Sequence, residues 1–217
     1  MVFTPASGPS YSQDFRELLE TSYEKRSLMQ LSSGSTVPLL KRNVWLVVRG
    51  MVKLTALSMQ GDEMLLGLAG PNEPFGDPLS NVEAYQATTL CDTDLLCLSC
   101  EEIGRDANLA MALLQGLGAR YRQSESMLAL LGLRRVEDRV RGFLELLAND
   151  YGQPCDQGLR LNLKLTHQDL ASALSTTRVT VTRVLGCLKD EGWLSIDDKR
   201  HLVISHLPRT KALARLR

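Results

Sequence analysis

No stretch of this chain approaches the roughly 20 consecutive apolar residues that a membrane span requires, so no membrane-spanning segment is expected. Histidine is scarce: His167, His201 and His206 all lie in the last quarter of the 217 residues. That leaves the remainder without the imidazoles that a haem or zinc site would draw on. Cysteine is present in an odd number, Cys91, Cys97, Cys100, Cys155 and Cys187. An ordinary iron–sulfur cluster takes four thiolates, and only Cys91, Cys97 and Cys100 fall close together, so no cluster and no metal is expected. Reduced, buried thiols are the reading. No nucleophile elbow, phosphate-binding loop or metal-ligand spacing is visible, which argues against an enzyme. The first residues, MVFTPASGPSYSQ, lack the basic-then-apolar order of a secretory signal. Residues 1–12 therefore read as a disordered leader and the protein as cytoplasmic.

Net charge is also lacking, with 25 Lys+Arg against 25 Asp+Glu, but the balance conceals an asymmetry. Residues 159–217 hold 11 basic residues against 5 acidic ones, so the rest of the chain carries the opposite excess. A basic end attached to an acidic body directs a polyanion to one part of the molecule and makes binding salt-dependent through counterion release. A merely solvated basic face is the bland alternative. What the basic segment contains argues against it.

In LTHQDLASALSTTRVTVTRVLGCL, from Leu165 to Leu188, Thr166 followed three residues later by Asp169 is a capping-box-like helix start. Leu170 and Leu174 share one face of a helix that stops at Ser175. Ser175-Thr176-Thr177 opens a second helix, on which Val181, Val184, Leu185 and Leu188 recur at helical spacing and point inward. Arg178, Val179, Thr180, Thr182 and Arg183 face out. Two short helices joined by a tight turn, the second with arginines near its start, form the helix-turn-helix that lays a recognition helix in the major groove. Beyond it, GWLSIDDKRHLVI reads as a hairpin from Trp193 to Ile204, a wing with Lys199 and Arg200 at its tip.

Upstream, a short amphipathic helix is expected within residues 13–31. From Thr36 to about Ser99 brief β-rich runs alternate with turn residues, including STVPLL, NVWLVVRGMVKLTALS and EMLLGLAG, with Gly50 breaking one run. Such punctuated strands imply a small antiparallel barrel or jelly roll. From about Asn108 the pattern becomes helical. Leu114, Leu117, Tyr121, Ser124, Leu128 and Leu131 step by three and four, a narrow stripe of heptad type that suits pairing with a like helix. Packing of that helix on its own barrel is the other reading. Gly116, Gly118 and Gly132 weaken its intrinsic propensity, and Gly132 is the natural hinge. LRRVEDRVRGFLELLANDYG then gives a further helix with Val136, Val140, Phe143, Leu144 and Leu147 inward, and the loop GQPCDQG leads into a short strand, LRLNLKL.

The run LTHQDLASALSTTRVTVTRVLGCLKDEGWLSI resembles the winged-helix end of the cyclic-AMP receptor and FNR (CRP/FNR) family of bacterial transcription regulators. Within that family TRVTVTRVL is most similar to the global nitrogen regulators of cyanobacteria. It departs from the family at Ser175, where a glycine is usual in the turn. If the backbone there needs φ > 0, serine costs about 1 kcal/mol. The resemblance implies an α+β fold: a double-stranded β-helix (jelly-roll) sensor barrel over 13–105, a dimerisation helix over 106–132 and a winged helix-turn-helix over 133–217. VWLVVRGMVKL is similar to the family's strand-glycine-strand segment and LLGLAGPNEPFGD to the loop before its effector pocket. The order of barrel and helix-turn-helix is what gives the weak strand pattern its weight.

The function so implied is a sequence-specific DNA-binding transcription regulator. It would be a homodimer on a palindromic operator, gated by a small effector, with double-stranded DNA and RNA polymerase as partners. Arg178 and Arg183 match arginines of the family's recognition helix. A guanidinium donates two parallel bonds to guanine O6 and N7, so both are expected at base edges. Val179 stands where the cyclic-AMP branch carries a glutamate, and valine can pack on a thymine methyl. The similarity to nitrogen regulators implies half-sites with a G-T step. Thr166, His167, Thr177, Thr182, Lys199 and Arg200 are expected at the phosphate backbone, with helix capping as the alternative for the threonines and plain solvent exposure for His167.

Members that bind cyclic AMP carry a glutamate and an Arg-Ser pair in the segment that here reads FGDPLSNVEAYQATTL. No arginine appears between Phe75 and Leu98, so a cyclic phosphate would lack its charge partner and cyclic AMP is not expected. The nitrogen-regulator branch binds 2-oxoglutarate through amides after Phe-Gly, a barrel arginine, and a helix arginine and glutamate. Phe75, Gly76, Arg120 and Glu125 match, whereas Glu83 replaces the barrel arginine and would repel a dicarboxylate. Arg120 and Glu125 could instead pair across a helix dimer. A constitutive DNA-binding protein whose barrel serves only as a dimer or partner platform is the alternative function.

Overall fold

The computed structural model describes residues 27–61, 63–163 and 165–205. The leader, most of the helix expected within 13–31 and the basic extension after Ser205 lie outside the described residues. The chain divides into two compact units, one ending at Ala129 and the other beginning at Leu130. No helix among the described residues is long and apolar enough to cross a membrane.

The first unit is built on two antiparallel sheets. One has the order β1-β7-β2-β5 and comprises β1 (Met29–Leu31), β2 (Asn43–Arg49), β5 (Pro74–Phe75) and β7 (Thr93–Ser99). The other, β4-β3-β6, comprises β3 (Val52–Leu57), β4 (Glu63–Ala69) and β6 (Tyr85–Thr89). Met29–Leu31 pairs with Leu95–Thr93 as an edge strand at the end of the 13–31 segment. STVPLL contributes one isolated bridge, Thr36 to Thr88, and no strand.

Trp45, Val47, Leu54, Phe75, Ala87 and Leu95 meet in the core of this unit. Alternation along β2 is weak because both of its faces are covered. Trp45 and Val47 join that core, while Leu46 packs with Leu96, Leu98, Leu109 and Leu113. A strand buried on both sides reads as a continuous apolar run. Gly50, between β2 and β3, has φ +96°, and a Cβ there would stand 2.4 Å from Thr93 Oγ1 and 2.7 Å from the Asp92 carbonyl. Only glycine fits.

Two helices follow, α1 (Cys100–Arg105) and α2 (Ala107–Leu131). Ser99 and Glu102 form a full capping box at the start of α1. The 25-residue α2 buries Leu109, Ala112, Leu113, Gly116, Ala119, Gln123 and Met127. The heptad stripe lies elsewhere on it, with Leu114, Tyr121 and Leu128 58%, 65% and 68% exposed. The helix therefore does pack on its own barrel, but with a different set of residues from those singled out by their spacing. Gly116 has a reason beyond propensity: a Cβ would lie 2.5 Å from both the Asn72 carbonyl and Pro74 Cδ. Gln123 and Arg120 bracket one peptide of β4. The Leu68 N–H donates to Gln123 Oε1 at 2.8 Å, and Arg120 Nη1 donates to the Leu68 carbonyl at 2.6 Å.

The second unit holds α3 (Val136–Tyr151), α4 (His167–Ala173), α5 (Arg178–Asp190) and a sheet of order β10-β11-β9-β8. In that sheet β8 is Gln153–Cys155, β9 is Gly158–Leu161, β10 is Leu194–Ile196 and β11 is Leu202–Ser205. GQPCDQG is thus a strand and tight turn where a loop was expected. The edge position of β8 tolerates Pro154, which has no N–H to donate. Val140, Phe143, Leu144 and Leu147 of α3 are buried as expected, while Val136 is half-buried. The helix runs through Tyr151 before Gly152 closes it.

Ser175 has φ +49°, the left-handed conformation that the family's usual glycine would adopt freely. Ser175→Gly should therefore stabilise the helix-turn-helix by up to about 1 kcal/mol, seen as a higher denaturation midpoint. A lower midpoint would show that the serine side chain is itself stabilising.

Candidate nucleic-acid interface

Each helix of the basic segment starts where its sequence says it should. Thr166 caps α4: its hydroxyl accepts from Asp169 N–H at 3.0 Å, and Asp169 Oδ2 accepts from Thr166 N–H at 2.8 Å. Thr177 caps α5, accepting from Thr180 N–H at 3.2 Å. Both threonine side chains are thus spent on the orphan amides of a first helical turn. At the turn between the helices, Thr176 N–H returns to the Ala171 carbonyl at 3.0 Å. Leu170, Ala171 and Leu174 are buried before this turn, and Val181, Val184, Leu185 and Leu188 after it.

The opposite face of α5 is open. Arg178, Thr182 and Arg183 are exposed, and Val179 is 79% exposed, an apolar side chain left uncovered on a helix whose other valines are buried. Thr182 is tied down locally. Its hydroxyl donates to the Arg178 carbonyl at 2.9 Å and stands 2.8 Å from His167 Nδ1. His167 therefore joins the start of α4 to α5 and is more than a solvated histidine.

Two arginines that the motif did not single out hold this assembly. Arg139 of α3 donates from Nη1 to the Leu174 carbonyl at 2.8 Å, satisfying the end of α4. Arg141 stacks over Trp193, 4.7 Å from the ring centroid, and pairs with Glu191 just past α5. A charged residue on the inner side of an amphipathic helix, such as Arg139 beside Val140, is the faint signal that could have pointed to them.

In the wing, Lys199 and Arg200 are exposed at the hairpin tip. Asp197 Oδ1 accepts from Lys199 N–H at 3.0 Å and from His201 N–H at 2.7 Å, and its Oδ2 is 3.1 Å from His201 Nδ1. These donors, the His201 amide foremost, hold the Asp197 carboxyl below the usual aspartate range.

The expected effector residues fall partly together. A cavity of about 220 Å³ in the first unit is lined by Phe75, Tyr85, Leu117, Arg120, Tyr121 and Ser124 among others. Gly76 is not among the lining residues. Burial raises the Tyr85 phenol pKa, and Arg120 and the Gly76 backbone amide lower it by less. Glu125 is not part of this lining. Instead it sits by Tyr121, whose phenol pKa is raised by hydrogen bonding to Glu125 and by the glutamate's charge. Arg120 reaches the cavity while bonded to the Leu68 carbonyl and to Gln123 Oε1. Glu83 is exposed and does not line the cavity. The five cysteines are free, with Cys97 Sγ accepting from Asn43 Nδ2 at 3.2 Å.

Residues 138–215 match the profile of the Crp-like helix-turn-helix domain. The global nitrogen regulator of Nostoc sp. is 35% identical over 176 residues, covering 77% of this chain and 78% of the relative. The global nitrogen regulator of Synechocystis sp. is 35% identical over 167 residues, covering 72% and 74%. A CRP/FNR-family transcriptional regulator from Thermus thermophilus superimposes with a TM-score of 0.69 at 25% identity, over 87% of this chain and 98% of that one. The relatives and the solved structure are regulators, not enzymes. This chain belongs to the CRP/FNR family of DNA-binding transcription regulators.

Proposed function

We propose that the chain acts as a homodimer on a two-fold symmetric operator, each protomer setting α5 in a major groove, and that it controls transcription through RNA polymerase. Arg178 and Arg183 donate to guanine, and Val179 rests on the methyl of a neighbouring thymine. Lys199 and Arg200 meet the phosphate backbone, as do the first turns of α4 and α5 around Thr166, His167, Thr177 and Thr182, where the threonine hydroxyls fix the helices rather than donate to phosphate, so this surface adds affinity without sequence information. The observation that carries this reading is the open face of α5. Two guanidiniums without a hydrogen-bond or ion-pair partner among the described residues flank an uncovered valine on a helix whose other side is buried.

The barrel cavity is the place for a small effector. Arg120 is its only cation among the lining residues, and it already serves the Leu68 carbonyl. An anion held there must share that guanidinium. 2-Oxoglutarate is the candidate that similarity to the nitrogen regulators supplies, and cyclic AMP finds no second arginine.

Selection from a random duplex pool should return a palindrome carrying G-T steps, with half-sites about one helical turn apart. Its enrichment should rise when 2-oxoglutarate is added. Recovery of unrelated sequences would remove the base-reading assignment. Equal enrichment with and without the dicarboxylate would remove that effector.

A further inference from the structure

We propose that Asp197 is the positioning residue of the wing: its carboxylate holds the turn in the conformation that presents Lys199 and Arg200 to the phosphate backbone. The proposal rests on the phosphate-contact reading of those two residues. An acid at the tip of a DNA-facing hairpin is otherwise out of place, since its charge repels the ligand. Asp198 beside it shows the contrast. It is exposed, and no hydrogen bond or ion pair engages its carboxylate among the described residues.

Every backbone N–H from Lys199 to His201 returns to Asp197. Lys199 and His201 donate to Oδ1 at 3.0 and 2.7 Å, and Arg200 donates to the main-chain carbonyl at 2.9 Å. The Asp197 N–H in turn donates to the His201 carbonyl at 3.0 Å, closing the turn between β10 and β11. The His201 ring lies against the second carboxylate oxygen. Arg200 is held at φ +65°, a conformation disfavoured for a residue with a Cβ. A turn that keeps arginine rather than glycine there needs its neighbours to impose the geometry. The carboxylate does so, and because its oxygens face inward on three donors, part of its charge is spent before it meets a phosphate.

Charge and geometry predict opposite signs, which makes the assignment testable. The full-length protein is titrated with its selected operator and with an unrelated duplex at several salt concentrations. Asp198→Ala removes one negative charge and should tighten both duplexes about two- to three-fold. Asp197→Ala removes the same charge yet should weaken both about three- to ten-fold. It should also reduce the salt slope by about one for each phosphate that the wing no longer neutralises. Asp197→Asn keeps an oxygen acceptor for the two amides and should restore at least the original affinity. Tightening by Asp197→Ala on the scale of Asp198→Ala would overturn the proposal, as would an Asp197→Asn protein as weak as the alanine variant. Lys199→Ala separates the two levels. If it leaves both affinities unchanged, the wing reading itself fails; if it weakens both while Asp197→Ala does not, only the positioning role fails.

Discussion

Arg178→Ala should cost the cognate operator on the order of 30-fold to 10⁴-fold in affinity while barely changing binding to a scrambled duplex. A bidentate arginine–guanine contact discriminates by about 1–3 kcal/mol. A symmetric dimer makes the contact twice, and each 1.4 kcal/mol is about a factor of ten. The fold should survive the change, because Arg178 is exposed and α5 is nucleated by the Thr177 cap and by its buried valines and leucines. Lys199→Ala provides the contrast. Its effect should be the same factor on both duplexes, with a shallower dependence on salt, because a phosphate contact carries no sequence information. An equal loss on cognate and scrambled DNA from the Arg178 change would show that Arg178 reads only the backbone.

The second large effect is expected at α2. Leu114, Tyr121 and Leu128 stand seven residues apart and are more than half exposed, although the helix already buries another face. Leu117 and Ser124 between them are half-buried. Leu131, the last residue of the helix, is exposed. Leaving three large side chains in water forgoes about 25 cal/mol per Å² of apolar surface, and a second copy of the same seam is the cover that heptad spacing fits. Leu114→Glu combined with Leu128→Glu should convert a dimer to a monomer in sedimentation. Operator affinity should fall about 10²- to 10⁴-fold, since the second half-site is no longer bound as an intramolecular step. Affinity for an isolated half-site should stay as it was. A variant that remains dimeric would place the dimer contact elsewhere.

Much of the DNA-binding end could be read directly because its signals are local. A threonine three residues before an aspartate, valines and leucines at steps of three and four, and arginines between them need no distant partner to be interpreted. Short helices are set by capping and by which face is apolar, and both are properties of a dozen neighbouring residues. The effector pocket was harder. Phe75 and Arg120 do meet at one cavity, but nothing near Tyr85 in sequence reveals that it lines the same cavity. Nor does the stripe on α2 reveal that Gly116 exists for the close approach of Asn72 and Pro74. The strand over Gln153–Cys155 is hidden in the sequence because Gly152 and Pro154 are turn residues by composition, and only pairing with β9 makes this segment an edge.

By itself the sequence determined which residues start α4 and α5, which face of α5 stays uncovered, and that glycine breaks the chain at residue 50. The tertiary structure decided what those elements lean on. Arg139 closes α4 across 35 residues of chain, Gln123 and Arg120 grasp the Leu68 peptide, and Asp197 gathers the wing tip. The division follows the range of the forces involved. Capping and amphipathic periodicity act within a turn or two of helix, whereas a buried amide, carbonyl or guanidinium takes whichever partner the folded chain brings within about 3 Å.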